Sequence, residues 1–129
     1  MIIRDISYKL NVIFKHNNVV FAYLFGSIAK NEISPSSDID IAVYLKNSNS
    51  EKLFNTLLSI HLDTCRALKT NNVDIVILNT NYNLMLIDEI IRNGILLYDA
   101  DPQFREEFEC KMIHSAIDFK TQRYFTIKV

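Results

Sequence analysis

Residues 24–45 read LFGSIAKNEISPSSDIDIAVYL, and the meaning of this stretch decides the fold. Its first residues close a continuously apolar run, 19–25, that reads as a buried strand. Gly26-Ser27 breaks the run as a tight turn into a helix start would, with Pro35 as the fixed point of the loop that follows. With ten residues between, Ser27 is followed by Asp38-Ile39-Asp40, which opens a strictly alternating segment over 38–45. Asp38, Asp40, Ala42 and Tyr44 fall on one face of that strand, and Ile39, Ile41, Val43 and Leu45 on the other. Packing the isoleucines into a core leaves two carboxylates side by side opposite, their Cα atoms roughly 6.5–7 Å apart. Two such carboxylates can share a pair of divalent cations about 3.5–4 Å apart.

Before this stretch, Ile3, Ile6, Leu10 and Ile13 recur at helical spacing and predict an amphipathic helix over about 3–16, ending near Asn17-Asn18. After it, 47–50 is a turn in which Ser48 and Glu51 have capping-box spacing. A helix follows to about residue 69, with Phe54, Leu57, Leu58, Leu62, Cys65 and Leu68 as its apolar stripe. A third strand, 73–78, carries Asp74 near its start. The next helix, about 82–92, stops at Asn93-Gly94, a pair suited to a left-handed cap. A short strand over 95–98 leads to a last helix opened by Asp101-Pro102, with Phe104, Phe108, Met112 and Ala116 on one face. The end, 124–129, is open to reading as a tail, a strand or a docking segment. Repeats and linkers are absent, so residues 1–129 are expected to form one domain.

Composition narrows the classes further. A chain of 129 residues supports one core but is short for an enzyme with its own substrate domain. Its 49% hydrophobic and 22% charged residues are ordinary for a soluble globular protein. A net charge of −1 argues against a surface built to hold nucleic acid, yet leaves room for a nucleotide whose charge metals neutralise. The apolar runs are too short for a membrane span, and MIIRDISYKL lacks the pattern of a signal peptide, so a cytoplasmic location is expected. Cys65 and Cys110 lack CxxC spacing and read as free, reduced core thiols. His16, His61 and His114 have neither zinc-ligand spacing nor a place in a Ser-His-Asp set.

Taken alone, Asp38 and Asp40 read as acids on the solvent face of an edge strand. Gly-Ser at a fixed distance before them, and a third acid at the start of the following strand, favour a metal site instead. The crowded carboxylates repel one another unless cations are present. With only two glycines in the chain, Gly26 is a backbone requirement. Unpaired N–H groups at a helix start attract phosphate oxygens, and the Ser27 hydroxyl adds a donor. The plainer alternative is a turn with a serine N-cap. Lys30 reads equally as a phosphate contact or a solvated lysine, and Ser37 as a residue that caps or orients the loop.

This set resembles the signature of the DNA polymerase β-like nucleotidyltransferase superfamily, a Gly-Ser followed by Asp-x-Asp on the next strand. It is most similar to the minimal nucleotidyltransferases (MNT), the antitoxin half of HEPN/MNT toxin–antitoxin pairs. The resemblance implies an α/β (α+β) fold, a small mixed sheet backed by helices. It implies that Asp38 and Asp40 hold two Mg²⁺ ions, and that Asp74 shares the second and acts as general base or orients the attacking hydroxyl. Gly26 and Ser27, helped by Lys30 and Ser37, would then hold the triphosphate of ATP. Where the family commonly carries a basic residue followed by glycine, this chain has Lys30-Asn31. The implied activity is AMPylation, transfer of AMP from ATP to a hydroxyl, a tyrosine, of a HEPN toxin bound as a hetero-oligomer. Those toxins carry an Arg-x(4–6)-His motif; Arg105 and His114 are too far apart for it. Two alternatives stay open: a catalytically idle antitoxin that neutralises by binding alone, and a small-molecule nucleotidyltransferase of the aminoglycoside-modifying kind.

Overall fold

The computed structural model describes residues 3–26, 29, 38–46 and 49–128. Along the chain these form α1 (Ile3–His16), β1 (Val19–Phe25), β2 (Ile39–Leu45), α2 (Ser50–Leu68), β3 (Val73–Ile77), α3 (Leu84–Asn93), β4 (Ile95–Asp99) and α4 (Pro102–Lys128). The strands make one mixed sheet in the order β3-β2-β1-β4. β1 is antiparallel to both neighbours. β2 and β3 run parallel, which requires a crossover, and α2 supplies it. The fold is α+β, as the resemblance implied.

The alternation in β2 sets the layers. Ile39, Ile41, Val43 and Leu45 pack with Ile6, Leu10 and Phe14 of α1 and with Leu53, Ile60 and Leu68 of α2. On the opposite face Ala42 joins Phe21, Tyr23, Ile87 and Ile90, and Tyr44 stacks on Phe21 at 5.1 Å. The face that carries the acids is therefore covered by α3 and α4 along its far half. Among the described residues, Asp38 and Asp74 are exposed and Asp40 is half-buried.

Several expectations need correction. Asp38 lies just outside β2, whose first amide, Ile39 N–H, donates to Asn72 O at 2.8 Å. The N-cap of α2 is Asn49, whose side chain accepts from Glu51 N–H at 3.0 Å; Ser48 lies outside the described residues, as does the helix start expected at Ser27. The buried stripe of α2 is Leu53, Ile60, Thr64 and Leu68. Phe54, Leu58 and Leu62 face outward instead, 58%, 46% and 54% exposed. Apolar residues occupy both sides of this helix, and a threonine among the buried positions disguised the inner one. Gly94 is not left-handed: its φ of −74° and ψ of 165° are extended. It is glycine for space, since a Cβ there would overlap the Ile90 carbonyl oxygen and sit 3.2 Å from that of Leu24. The left-handed helix cap is at Lys69 instead, φ 55°. Both cysteines are free; Cys65 is half-buried and packs against the core, whereas Cys110 is exposed and is not a core thiol. Residues 124–128 continue α4 and are neither tail nor strand.

α4, 27 residues and so roughly 40 Å long, begins with Asp101 capping Phe104 N–H at 3.2 Å. Phe108 and Met112 pack on the core and Ala116 is buried. Farther along, Lys120 donates to buried Asp88 of α3 at 3.1 Å, beside Arg92 at 2.8 Å. No described helix is long and apolar enough to cross a membrane.

Candidate active site

Gly26 ends β1 at φ +79°, a left-handed conformation that disfavours any side chain. A Cβ at this position would overlap Oδ2 of Asp40, so the bare backbone lies directly against that carboxylate. The register explains the approach, since Phe25 pairs with Asp40 across β1 and β2. On the other side Asp40 pairs with Asp74 across the parallel β2 and β3. Residues in register on adjacent strands point to the same face, about 4.8 Å apart. Asp38 stands two residues before Asp40, on the same side of the alternation.

The electrostatics follow from this crowding. The Asp40 carboxyl is pushed above its ordinary value, first by burial, then by the charge of Asp74, then by that of Asp38. Asp40 is thus the member of the set that most needs a neutralising cation. Among the described residues, no three His, Cys, Asp or Glu side chains already stand close enough together to cage an ion. The donor set nevertheless suits a hard divalent cation such as Mg²⁺: carboxylate oxygens only, from adjacent strands, around one strained acid. Two of the three donors, Asp38 and Asp74, are exposed side chains free to take other rotamers.

Of the residues singled out from the sequence, the structure brings together Gly26, Asp40 and Asp74, with Asp38 close enough to bias Asp40. Ser27, Lys30 and Ser37 lie outside the described residues. The histidines stay apart: His61 Nε2 is 3.7 Å from Cys65 Sγ and His114 Nε2 is 3.9 Å from Asp118.

A charged cluster between α4 and the sheet escaped sequence reading. Arg105 of α4 donates to Asp99 at 2.8 Å and also pairs with Glu109. The Tyr23 hydroxyl is buried beside Glu109 without a hydrogen bond of ordinary geometry, and its pKa is raised, by burial first and then by the Glu109 charge. The four-residue spacing of Arg105 and Glu109 on a helix was the one legible signal.

A mixed sheet that sets acids on neighbouring strands beside a left-handed glycine places the molecule in the nucleotidyltransferase fold class. The chain belongs to the polymerase beta nucleotidyltransferase family, whose model matches residues 8–103 and so spans Gly26, Asp38, Asp40 and Asp74. Among solved structures it is similar to a chain described as a toxin–antitoxin with AMP-PNP, at 24% identity, TM-score 0.75 and 95% coverage of each chain. It is similar also to a chain of the MntA–HepT toxin–antitoxin, at 23% identity and TM-score 0.70, covering 97% of this chain and 96% of that one. A mutant of that toxin–antitoxin with two aspartate-to-glutamate changes matches at 22% identity, TM-score 0.76 and 95% of each chain. At these identities the likeness is one of fold. No curated protein matches the chain.

Proposed function

We propose that this protein is an ATP-dependent, Mg²⁺-dependent adenylyltransferase that acts as the antitoxin of a HEPN-type toxin, moving AMP onto a tyrosine hydroxyl of that partner. The observation that carries this reading is Gly26, folded bare against the carboxylate of Asp40, with Asp74 in register on the next strand. Such an arrangement has no structural purpose, because it concentrates repulsion at Asp40. It is useful where cations and phosphate must come close.

Asp38 and Asp40 would hold the ions, with Asp74 sharing the second. Bound Mg²⁺ supplies charge neutralisation for the triphosphate and for the leaving pyrophosphate. The chain's own residues do the rest. Gly26 admits phosphate oxygens to the backbone, and Ser27, Lys30 and Ser37 are assigned to the same polyphosphate. Asp74 takes the proton of the attacking hydroxyl or orients it. The tyrosine oxygen bonds to the α-phosphorus, the bond from that phosphorus to the β-phosphate oxygen breaks, and pyrophosphate leaves. Acceptor recognition falls to the partner, since the fold uses its helices to back the sheet.

The test uses α-labelled ATP and Mg²⁺, with and without the product of the neighbouring gene, and the Asp38→Asn/Asp40→Asn double variant as control. Label should move to the neighbour and vanish with the variant. Absence of transfer while the two proteins co-purify would overturn the enzyme reading in favour of an antitoxin that acts by binding alone.

A further inference from the structure

At the end of the sheet opposite the carboxylates lies a cavity of about 640 Å³. Asp40 opens β2 and Lys46 follows its close, so the two ends stand about 20 Å apart at about 3.3 Å per residue. A volume of this size is in the range of small-molecule sites. Its walls come from both layers: Lys15 from the last turn of α1, Tyr98 from β4, Tyr44 and Lys46 from β2 and the residue after it, and Asp101 and Phe104 from the start of α4.

The chemistry of these walls is uneven. Phe104 is 38% exposed and meets Tyr44 edge-on, with ring centroids 5.2 Å apart. Tyr44 is held against Phe21 at 5.1 Å, so this aromatic wall is fixed from behind. Lys15 and Lys46 are exposed at the rim, and among the described residues neither is paired with an acid. Asp101 is the one acid on the wall, and its Oδ1 is engaged by Phe104 N–H. Among the described residues the rim thus has two cations without an ion-pair partner against one carboxylate that accepts a capping hydrogen bond. The Lys46 backbone is anchored, its N–H donating to Asn18 O at 3.1 Å, so the side chain projects from a fixed point.

We propose that this cavity is a second ligand site, taking an anion that carries a flat ring, of the size of a mononucleotide. The ring lies against Tyr44 and Phe104, and the anionic group sits between Lys15 and Lys46. Aromatic faces favour planar rings, and paired ammonium groups favour phosphate over a neutral ligand. The site stands independently of whether nucleotidyl transfer occurs at the opposite end. Occupancy would tie the end of α1 to the start of α4.

The experiment titrates AMP into the Asp38→Asn/Asp40→Asn protein in EDTA, which silences metal-dependent binding at the carboxylates, and follows backbone amides by NMR. Shifts should gather at Val19, Val20, Leu45 and Ala100. They should weaken at least tenfold in affinity when Lys15→Ala and Lys46→Ala are added, with the fold of the variant checked by its thermal transition. Adenosine and inorganic phosphate, titrated separately, should each bind at least tenfold more weakly than AMP. Shifts centred on Gly26 and Asp74, no shifts at all, or phosphate binding as tightly as AMP would each overturn the proposal. Phe104→Leu, which keeps the apolar bulk, should weaken AMP and leave phosphate unchanged; equal loss of both would overturn the role given to the ring.

Discussion

Asp40 is strained in a way that makes the protein's stability respond to both protons and cations. Its folded carboxyl titrates above its unfolded value, so in the window just above the ordinary carboxylate range the folded state binds more protons than the unfolded one. Stability therefore falls as pH rises through that window. In metal-free protein, Asp40→Asn should raise the melting temperature at pH 7 by about 1–2 °C, a small effect because the group is partly exposed and screened. Under the proposed function, Mg²⁺ should raise the melting temperature of the parent and leave that of the variant unmoved, both readable in one thermal-shift series with and without EDTA. Gly26→Ala meets two obstacles at once, a left-handed φ and the Asp40 carboxylate. It should cost about 1–3 kcal/mol by denaturant unfolding and abolish label transfer. Both residues were legible from the sequence because their demands are local: a glycine in a glycine-poor chain, and acids on a strand of strict period two. The Tyr23–Glu109 contact was not, because it joins β1 to α4 across 85 intervening positions.

Among the elements, the strands were read closely and the helix termini less so. β1 and β2 announce themselves by unbroken and alternating apolar patterns, whereas α2 offers two apolar stripes, and only tertiary packing chooses between them. That choice has a direct check. Ile60→Ala on the buried stripe should cost about 2–5 kcal/mol, while Leu62→Ser on the outer one should stay within about 0.5 kcal/mol, compared by urea midpoints. Gly94 teaches a similar lesson. A glycine after a helix suggested a left-handed cap, but its backbone is extended, and its task is to clear the Ile90 carbonyl first and that of Leu24 second. Gly94→Ala should therefore destabilise by about 1–3 kcal/mol through overpacking. In a turn that required a positive φ, the cause would have been backbone strain.

For the whole molecule, α4 is the element that ties the second layer together, and its hold is partly electrostatic. Asp88 is buried, and its carboxyl is held below the ordinary range chiefly by the hydrogen bond from Arg92 and then by Lys120 reaching across from α4. A depressed carboxyl contributes stability above its unfolded value and loses it as pH falls through the folded one. Asp88→Asn should flatten the acid limb of the unfolding profile and cost about 1–2 kcal/mol at neutral pH. It should also speed amide exchange in α4 near Lys120 more than in β1. The arrangement of the sheet has its own consequence. Asp40 and Asp74 face each other in one register of the parallel β2–β3 pair, whose strands are joined through α2. A slip by one residue would turn Asp74 to the opposite face. The same slip would carry Val73, Ile75 and Ile77 off the buried side, so the core itself selects the register that pairs the two acids. Under the proposed function, the share of a refolded sample able to transfer label becomes a census of correctly annealed sheets.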